Sequence, residues 1–175
     1  ITALLADDAQ SNGNALGFSF PFCGTSYTTF SVASNGWLSL GTASAVSSTT
    51  PFSGNGNNNT ILSAHTSGNA FPVFLPFWDD LGIGVGTGAN ASYQLSGTAP
   101  NRVFTFEWRN WSWDFHVVPG SLSMQLKLHE NGSFQFHYQR EADVIASRTD
   151  QATTLEWFGG SIGFGRSASD YQFLN

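Results

Sequence analysis

Apolar and polar residues alternate with a period of two along much of this chain, and glycine or asparagine interrupts the alternation at short intervals. Leucine or phenylalanine stands at every second position from Leu16 to Phe22, and large aromatic residues stand at Phe104, Phe106 and Trp108. Successive side chains of a β-strand point to opposite faces, whereas one face of a helix needs spacings of three and four residues. The alternation therefore predicts an all-β fold, a two-sheet antiparallel β-sandwich of jelly-roll-like form with little or no helix.

The length and composition support one domain with its own core. The chain has 175 residues, of which 41% are hydrophobic, so it can bury a sizeable core and is not a disordered tract. We expect a single domain over residues 1–175, with a long polar loop at about residues 42–70. Only 10% of the residues are charged, against about 25% in an average domain, and serine, threonine, asparagine and glycine take their place. This composition predicts an extracellular or cell-surface location.

The charge balance and the hydropathy pattern exclude two classes of partner. Six lysine and arginine residues against twelve acidic ones, with a net charge of −6, cannot neutralise a nucleic-acid backbone. No apolar run approaches the roughly 20 residues that a membrane-spanning helix needs. We therefore expect neither nucleic-acid binding nor a membrane span.

The asparagine–glycine turn at Gly132 sets the register of a predicted hairpin. A two-residue loop would place Leu128 opposite the polar Gln135, whereas a three-residue loop over 130–132 pairs it with Phe134. Burying such an apolar side chain is worth about 1.5–3 kcal/mol, more than the difference between turn types. We therefore expect the three-residue loop, with its glycine at positive φ. The polar residues on the outer face would be Lys127, His129, Ser133, Gln135 and His137.

A second asparagine–glycine turn, over 34–36, predicts another hairpin by the same reasoning. It pairs Val32 with Leu38 on the buried face and places Ser31 and Ser39 on the outward face. Its glycine should again have a positive φ.

Two features near the N-terminus bear on association between molecules. The lone Cys23 cannot form an internal disulfide and lies in an apolar run, so we expect a small buried residue, with an intermolecular disulfide as the alternative. Residues 1–6 are mostly apolar, and we expect them to pair as a strand within the domain's own sheet. The alternative is self-association, in which this segment adds to the sheet edge of a neighbouring molecule, as donated strands do in extracellular fibres.

Adjacent carboxylates at Asp79 and Asp80 suggest a structural calcium site. They stand where a strand is expected to end, and a third acid such as Asp114 could complete an oxygen shell with backbone carbonyls. The alternative is that one aspartate caps the turn while the other is solvated. No other cofactor is expected, because the histidines lack zinc-ligand spacing and the glycine-alternating stretch 82–88 does not lead into a nucleotide-binding helix.

The densest aromatic patch follows Trp108, which continues an inward-facing strand pattern and is expected in the core. Trp111, Trp113 and Phe115 share strand parity, so if exposed they would form a platform on which sugar rings stack. The polar side chains that would bond sugar hydroxyls there are Arg109, Asp114 and His116. The alternative is that these aromatic residues fill the space between the two sheets.

The candidate covalent chemistry of the chain is sparse. No nucleophile motif accompanies the histidines, and a carboxylate-based glycoside hydrolase could be drawn only from Glu107 with Asp79 or Asp114. We therefore expect no enzymatic activity and assign no catalytic residue. Four sequons for N-glycosylation are present, at Asn58, Asn90, Asn110 and Asn131.

Several segments stand in an order that resembles a known group of extracellular domains. They are F-C-G-T-S-Y at 22–27, S-N-G-W-L-S-L-G at 34–41, P-F-W-D-D-L at 76–81, and the strand-like segments 97–108 and 126–136. This order resembles modules of large bacterial secreted and cell-surface proteins, and is distantly similar to the nidogen-type domain of animal matrix and mucin proteins. The resemblance implies an extracellular β-sandwich in adhesive or matrix-associated proteins, with no catalytic residues to carry over.

These observations lead to one main hypothesis and two alternatives. We expect a non-catalytic extracellular adhesion, matrix or surface-assembly module that binds another protein or a glycan. The first alternative is a carbohydrate-binding module with a tryptophan platform, and the more distant one is a glycoside hydrolase. Exposure of Trp111 and Trp113 would favour the platform, and burial of the two indoles would count against it.

Overall fold

The computed structural model describes residues 1–6, 9–41, 71–79, 81–83, 88–112, 122–139, 161–167 and 170–173. This part of the chain forms ten strands and one short 3₁₀ helix, Thr2–Leu4. The strands are β1 (Gln10–Phe22), β2 (Thr25–Ala33), β3 (Leu38–Leu40), β4 (Val73–Trp78), β5 (Asn90–Ser96), β6 (Val103–Trp111), β7 (Leu122–His129), β8 (Phe134–Tyr138), β9 (Ser161–Ser167) and β10 (Asp170–Phe173). Within the described residues, no helix has the length and apolar character needed to cross a membrane.

The strands form two antiparallel sheets. One has six strands in the order β1-β2-β3-β4-β9-β10, and the other has four in the order β5-β6-β7-β8. Neighbours in each sheet are consecutive along the chain, except where β9 pairs with β4. The prediction of an all-β, two-sheet antiparallel sandwich is confirmed. The predicted polar loop at 42–70 lies outside the described residues.

Aromatic side chains from both sheets meet in the core. Phe30 of β2 has its ring centroid 4.8 Å from that of Phe104 on β6, and both residues are fully buried. Trp108 is also fully buried, and its indole N–H donates a 2.9 Å hydrogen bond to the Ala33 carbonyl in the facing sheet. Each such residue contributes about 1.5–3 kcal/mol by burial, and the indole bond leaves no polar atom of that ring unsatisfied. The predicted core position of Trp108 is confirmed.

Both predicted hairpin registers are confirmed. Leu128 pairs with Phe134 across β7 and β8, and Val32 pairs with Leu38 across β2 and β3. The glycine of each turn has positive φ, 91° in the first hairpin and 77° in the second. The agreement shows that the cost of exposing apolar side chains, rather than turn preference alone, sets these registers.

The outward face of the six-stranded sheet is also buried where the end of β2, β3 and β4 lie side by side, contrary to expectation. Ser31 and Ser39 pair as predicted, but both are fully buried rather than facing solvent. A second apolar cluster lies on that side, comprising Ala33, Trp37, Val73, Leu75 and Trp78. Strand parity fixes which face a residue is on, but not whether another layer covers that face, so the expectation of solvent exposure was wrong.

Cys23 lies at an exposed hairpin tip and is not a core residue. Phe22 pairs with Thr25, so Cys23 and Gly24 form a two-residue loop, and both have positive φ, 50° and 80°. Positive φ at both central residues is the pattern of a type I′ turn, whose twist matches that of the flanking strands. The free thiol is exposed, so the prediction of a buried cysteine was wrong. An intermolecular disulfide stays a prediction.

The N-terminal segment is helical and not a strand. Its 3₁₀ turn is closed by backbone hydrogen bonds from Leu4 and Leu5, and Leu4 is fully buried in the sandwich core. The nitrogen of Ile1 donates to the Ala91 carbonyl of β5. The predicted strand over residues 1–6 was therefore wrong, because the segment uses its leucine as a plug against β1 and β5 instead.

Candidate binding surface

The outer face of the four-stranded sheet is polar from one edge to the other. Strand alternation turns the aromatic residues of β6 inward and leaves the intervening residues outward. Cross-strand pairing then aligns the outward residues into two rows. We call them the polar face, with rows Ser92–Glu107–Gln125–His137 and Gln94–Thr105–Lys127–Gln135.

Two shallow depressions lie side by side on the polar face. The first, of about 230 Å³, is lined by residues of β6, β7 and β8, including His137 and Tyr138. The second, of about 360 Å³, is lined by residues of β5, β6 and β7, including Tyr93. Glu107 and Gln125 line both, so the two depressions form one surface that crosses all four strands.

A hydrogen-bonded pair occupies the middle of this surface. The Gln125 amide donates to Oε1 of Glu107 at 2.8 Å, which leaves the other carboxylate oxygen and the amide oxygen to accept from a ligand. Further along β8, Oε1 of Gln135 lies 3.1 Å from Nε2 of His137 and 3.4 Å from Nε2 of His129. The surface thus offers donors and acceptors in a fixed cross-strand arrangement. Among the described residues of the polar face, Glu107 is the one carboxylate.

A tyrosine lies at each edge of the sheet, on its core-facing side, because Tyr93 pairs with Phe106 and Tyr138 pairs with Met124. Tyr93 on β5 is 48% exposed, and its ring packs edge-on against Phe30 of the other sheet. Tyr138 on β8 is 45% exposed, and its hydroxyl donates a 2.6 Å hydrogen bond to the Pro76 carbonyl. Partial burial raises the pKa of Tyr138 to about 12, so the phenol stays neutral and keeps that bond. Both rings are held by the core while part of each remains open to solvent.

Trp111, a candidate for the tryptophan platform, lies in the core. Its side chain is fully buried, because a register shift between Trp108 and Trp111, with Asn110 at φ 57°, turns both indoles inward despite their odd spacing. The burial of Trp111 agrees with the core alternative and counts against the tryptophan platform. Arg109 is exposed on β6. Three other members of the predicted site lie outside the described residues: Trp113, Phe115 and His116.

The predicted calcium site is only partly described. Asp79 is 9% exposed, its backbone N–H contacts the Asn35 carbonyl at 3.4 Å, and its carbonyl accepts from Leu81 at 2.9 Å. Asp80 and Asp114 lie outside the described residues. Within the part of the chain that the structure describes, no group of three or more histidine, cysteine or acidic residues could hold a metal ion. Calcium binding stays a prediction, as does the pairing of Glu107 with Asp79 or Asp114 in a hydrolase.

The sequons differ in their surroundings. Asn131 is exposed in the β7–β8 turn, and its Oδ1 accepts from the Ser133 hydroxyl at 2.7 Å and from the Ser133 backbone N–H at 3.0 Å. Asn90 and Asn110 are half-buried, and the Asn110 side chain contacts the Gly88 carbonyl at 3.5 Å. Asn58 lies outside the described residues. Glycosylation stays a prediction at all four.

An ion pair that the sequence analysis missed connects the start of β6 to the end of β7 within the four-stranded sheet. Nε and the backbone N–H of Arg102 each donate to Oε2 of Glu130 at 3.0 Å, and its Nη2 pairs with Oε1. Nη1 also donates to the Gly17 carbonyl of β1 at 3.1 Å. Hydrogen bonds from Arg102 lower the pKa of Glu130 to about 2. Finding this pair required the pairing of β6 with β7, in which Val103 lies opposite His129 and Arg102 therefore lies beside Glu130; the sequence analysis did not predict that pairing.

Two antiparallel sheets around an aromatic core, with one sheet presenting an open polar face, define a β-sandwich domain. The chain belongs to the NIDO-related family, because the family model described as NIDO related matches residues 1–175. No curated protein and no solved structure matches the chain. The expected relationship to nidogen-type domains is therefore confirmed, while a bacterial source and secretion stay predictions.

Proposed function

We propose that this domain is a non-catalytic extracellular module for adhesion or surface assembly, and that it binds a glycan through the polar face. Membership of the NIDO-related family supports an extracellular, non-catalytic domain in broad terms. The observation that carries the glycan assignment is the Glu107–Gln125 pair, which is shared by two adjoining depressions of the polar face.

The chemistry of this surface suits sugar hydroxyls. A hydroxyl both donates and accepts, so a carboxylate, primary amides and hydroxyls set side by side can bond several of them at once. Because Gln125 already holds one oxygen of Glu107, the free oxygen is oriented before a ligand arrives.

The same surface suits holding a glycan rather than cleaving it. Glycoside hydrolysis generally needs two carboxyl groups about 5–10 Å apart. Only Glu107 is available among the described residues of the polar face. The depressions are open and shallow, whereas catalytic sites usually enclose the reacting group and exclude water. This supports a module whose role is attachment.

The test begins with a glycan array probed with the full chain, followed by calorimetric titration of the strongest-binding glycan. A hydrogen bond to a charged group is worth about 1.5–3 kcal/mol, so Glu107→Gln should weaken binding about tenfold or more. Asp170→Asn makes the same change at an exposed carboxylate of the six-stranded sheet and should leave affinity unchanged. The proposal fails if no glycan binds, or if the two variants weaken binding equally.

A further inference from the structure

The main chain of β5 has one side without a partner among the described residues. His129 N–H donates to the Ser133 carbonyl, so the odd-numbered residues of β7 bond to β8 and its even-numbered residues bond to β6. The even-numbered residues of β6 therefore bond to β7, and its odd-numbered residues bond to β5. The partners of those odd-numbered residues on β5 include Ser92 and Gln94, so the main-chain groups of these two residues bond to β6. The N–H and C=O groups of Tyr93 and Leu95 therefore point away from the sheet.

This edge lacks the features that keep sheet edges from pairing. β5 has seven residues with no charge and no proline. Tyr93 and Leu95 are 48% and 43% exposed, two of the three exposed large hydrophobic residues in the described part of the chain. By contrast, the β1 edge contains Pro21 and two register shifts, and β10 is four residues long and carries a charge at Asp170. Proline, bulges, charge and short length are the usual protections of an edge, so β5 is an open template for another strand.

We propose that β5 pairs antiparallel with β5 of a second copy of this chain, with the two-fold axis at Gln94. The Ala91 carbonyl already accepts from the nitrogen of Ile1, so the free groups of the edge are those of Tyr93 and Leu95. An axis at Gln94 places Tyr93 of each copy opposite Leu95 of the other copy. The two residues of each such pair then exchange main-chain hydrogen bonds. The strand is self-complementary, because each exposed apolar side chain meets an apolar one.

The pairing would produce one continuous sheet of eight strands, four from each copy. The polar faces of the two copies would then lie side by side on the same surface of that sheet. The pairing does not depend on what the polar face binds. If the polar face does bind a glycan, two adjacent sites would raise the avidity for a repetitive polymer without any new contact.

The register makes a specific test possible at Gln94. An axis at this residue brings its side chain directly opposite its own copy in a non-hydrogen-bonded pair, with Cα atoms about 4.5 Å apart. We expect Gln94→Lys and Gln94→Glu each to raise the dissociation constant of the dimer, measured by sedimentation velocity, by up to about fivefold, because like charges face each other. An equimolar mixture of the two variants should restore dimers. The matched controls are Gln135→Lys and Gln135→Glu, which lie in the same polar row at the opposite edge and should stay as dimeric as the unmodified chain.

Amide hydrogen exchange gives an independent readout on the unmodified chain. As the protein concentration rises from micromolar to millimolar, the average molecular mass should rise as dimers form. Amide exchange at Tyr93 and Leu95 should slow over the same concentration range. Exchange at Ser92 and Gln94, which bond to β6, should be slow throughout. A chain that stays monomeric over this range overturns the proposal. Dimers whose Tyr93 and Leu95 amides still exchange quickly, or that the charged Gln94 variants leave intact, overturn it equally.

Discussion

Alternating strands form both sheets of this sandwich, but the faces that point away from the shared core differ between the two sheets. In the six-stranded sheet, the residues opposite the core include Ser39 and Trp37, and both are fully buried. In the four-stranded sheet, the equivalent positions carry Glu107, Gln125 and His137, which meet solvent and line depressions. The difference shows that a small polar residue in an alternating strand does not by itself mark a solvent face. A row of long polar side chains paired across strands does.

Placing a charge on each second face tests this contrast most strongly. Ser39→Asp puts a carboxylate into a fully buried position, away from water, and should cost about 4 kcal/mol or more. Ser92→Asp makes the same change on the polar face and should cost about 1 kcal/mol or less, even opposite Glu107. Chemical denaturation measures both. Equal losses would mean that the two faces do not differ as described.

The two asparagine–glycine turns extend the comparison to the ends of the sheets. A methyl group at Gly36 would collide with the Phe77 carbonyl oxygen inside the buried layer, so Gly36→Ala should cost about 2–5 kcal/mol from strain and overpacking. At Gly132 the nearest atom, the Pro21 carbonyl oxygen of β1, would lie 2.8 Å away, a milder collision than the one at Gly36. Gly132→Ala should therefore cost less than Gly36→Ala, about 1–3 kcal/mol from the left-handed φ and the displaced strand. A larger loss at Gly132 in thermal unfolding would reverse the assignment.

The Arg102–Glu130 pair gives this end of the four-stranded sheet a predicted pH dependence. The folded pKa of Glu130 is about 2, below its ordinary value of 4.5, so the unfolded chain binds a proton there before the folded chain does. The stabilisation is therefore complete above about pH 4.5 and is lost as the pH falls towards 2. Glu130→Gln should flatten the acid side of the stability curve. Asp170→Asn, which removes the exposed pair with Arg166, should leave it nearly unchanged.

The smallest expected effect is at the β1–β2 turn, which is exposed although it belongs to the six-stranded sheet. Cys23 adopts a φ of 50°. This left-handed conformation costs a residue with a side chain about 1–2 kcal/mol more than it costs glycine. Cys23→Gly should relieve this strain and raise the free energy of unfolding by about 0.5–1 kcal/mol, the remainder being offset by backbone entropy. Urea denaturation under reducing conditions checks it. A loss of stability would mean that the thiol packs against the sheet.

The sequence predicted correctly those features that depend on residues close together along the chain. The registers of Leu128 with Phe134 and of Val32 with Leu38 follow from it, because each hairpin has one buried alternative and one exposed alternative a few residues apart. Burial of Ser39 could not be predicted, since it depends on a second layer that leaves no mark on the strand itself.

The candidate surface was predictable only in part, for the same reason. The outward placement of Gln135 and His137 followed from the β7–β8 hairpin. Placing Gln125 beside Glu107 required the register between β6 and β7, which no short turn fixes, because ten residues separate the two strands. Trp111 was misplaced because the bulge at Asn110 changes the parity of the strand. Parity counts fail at bulges, and bulges have no reliable signature in the sequence.

The most direct test of the central claim is an amide chemical-shift titration of the full chain with the glycan that binds most strongly on an array. If the polar face is the binding surface, the largest shifts will map to the row Ser92–Glu107–Gln125–His137, with smaller shifts at Tyr93 and Tyr138. Shifts concentrated around Arg109 and Trp111, or on the strands of the six-stranded sheet, would contradict the account.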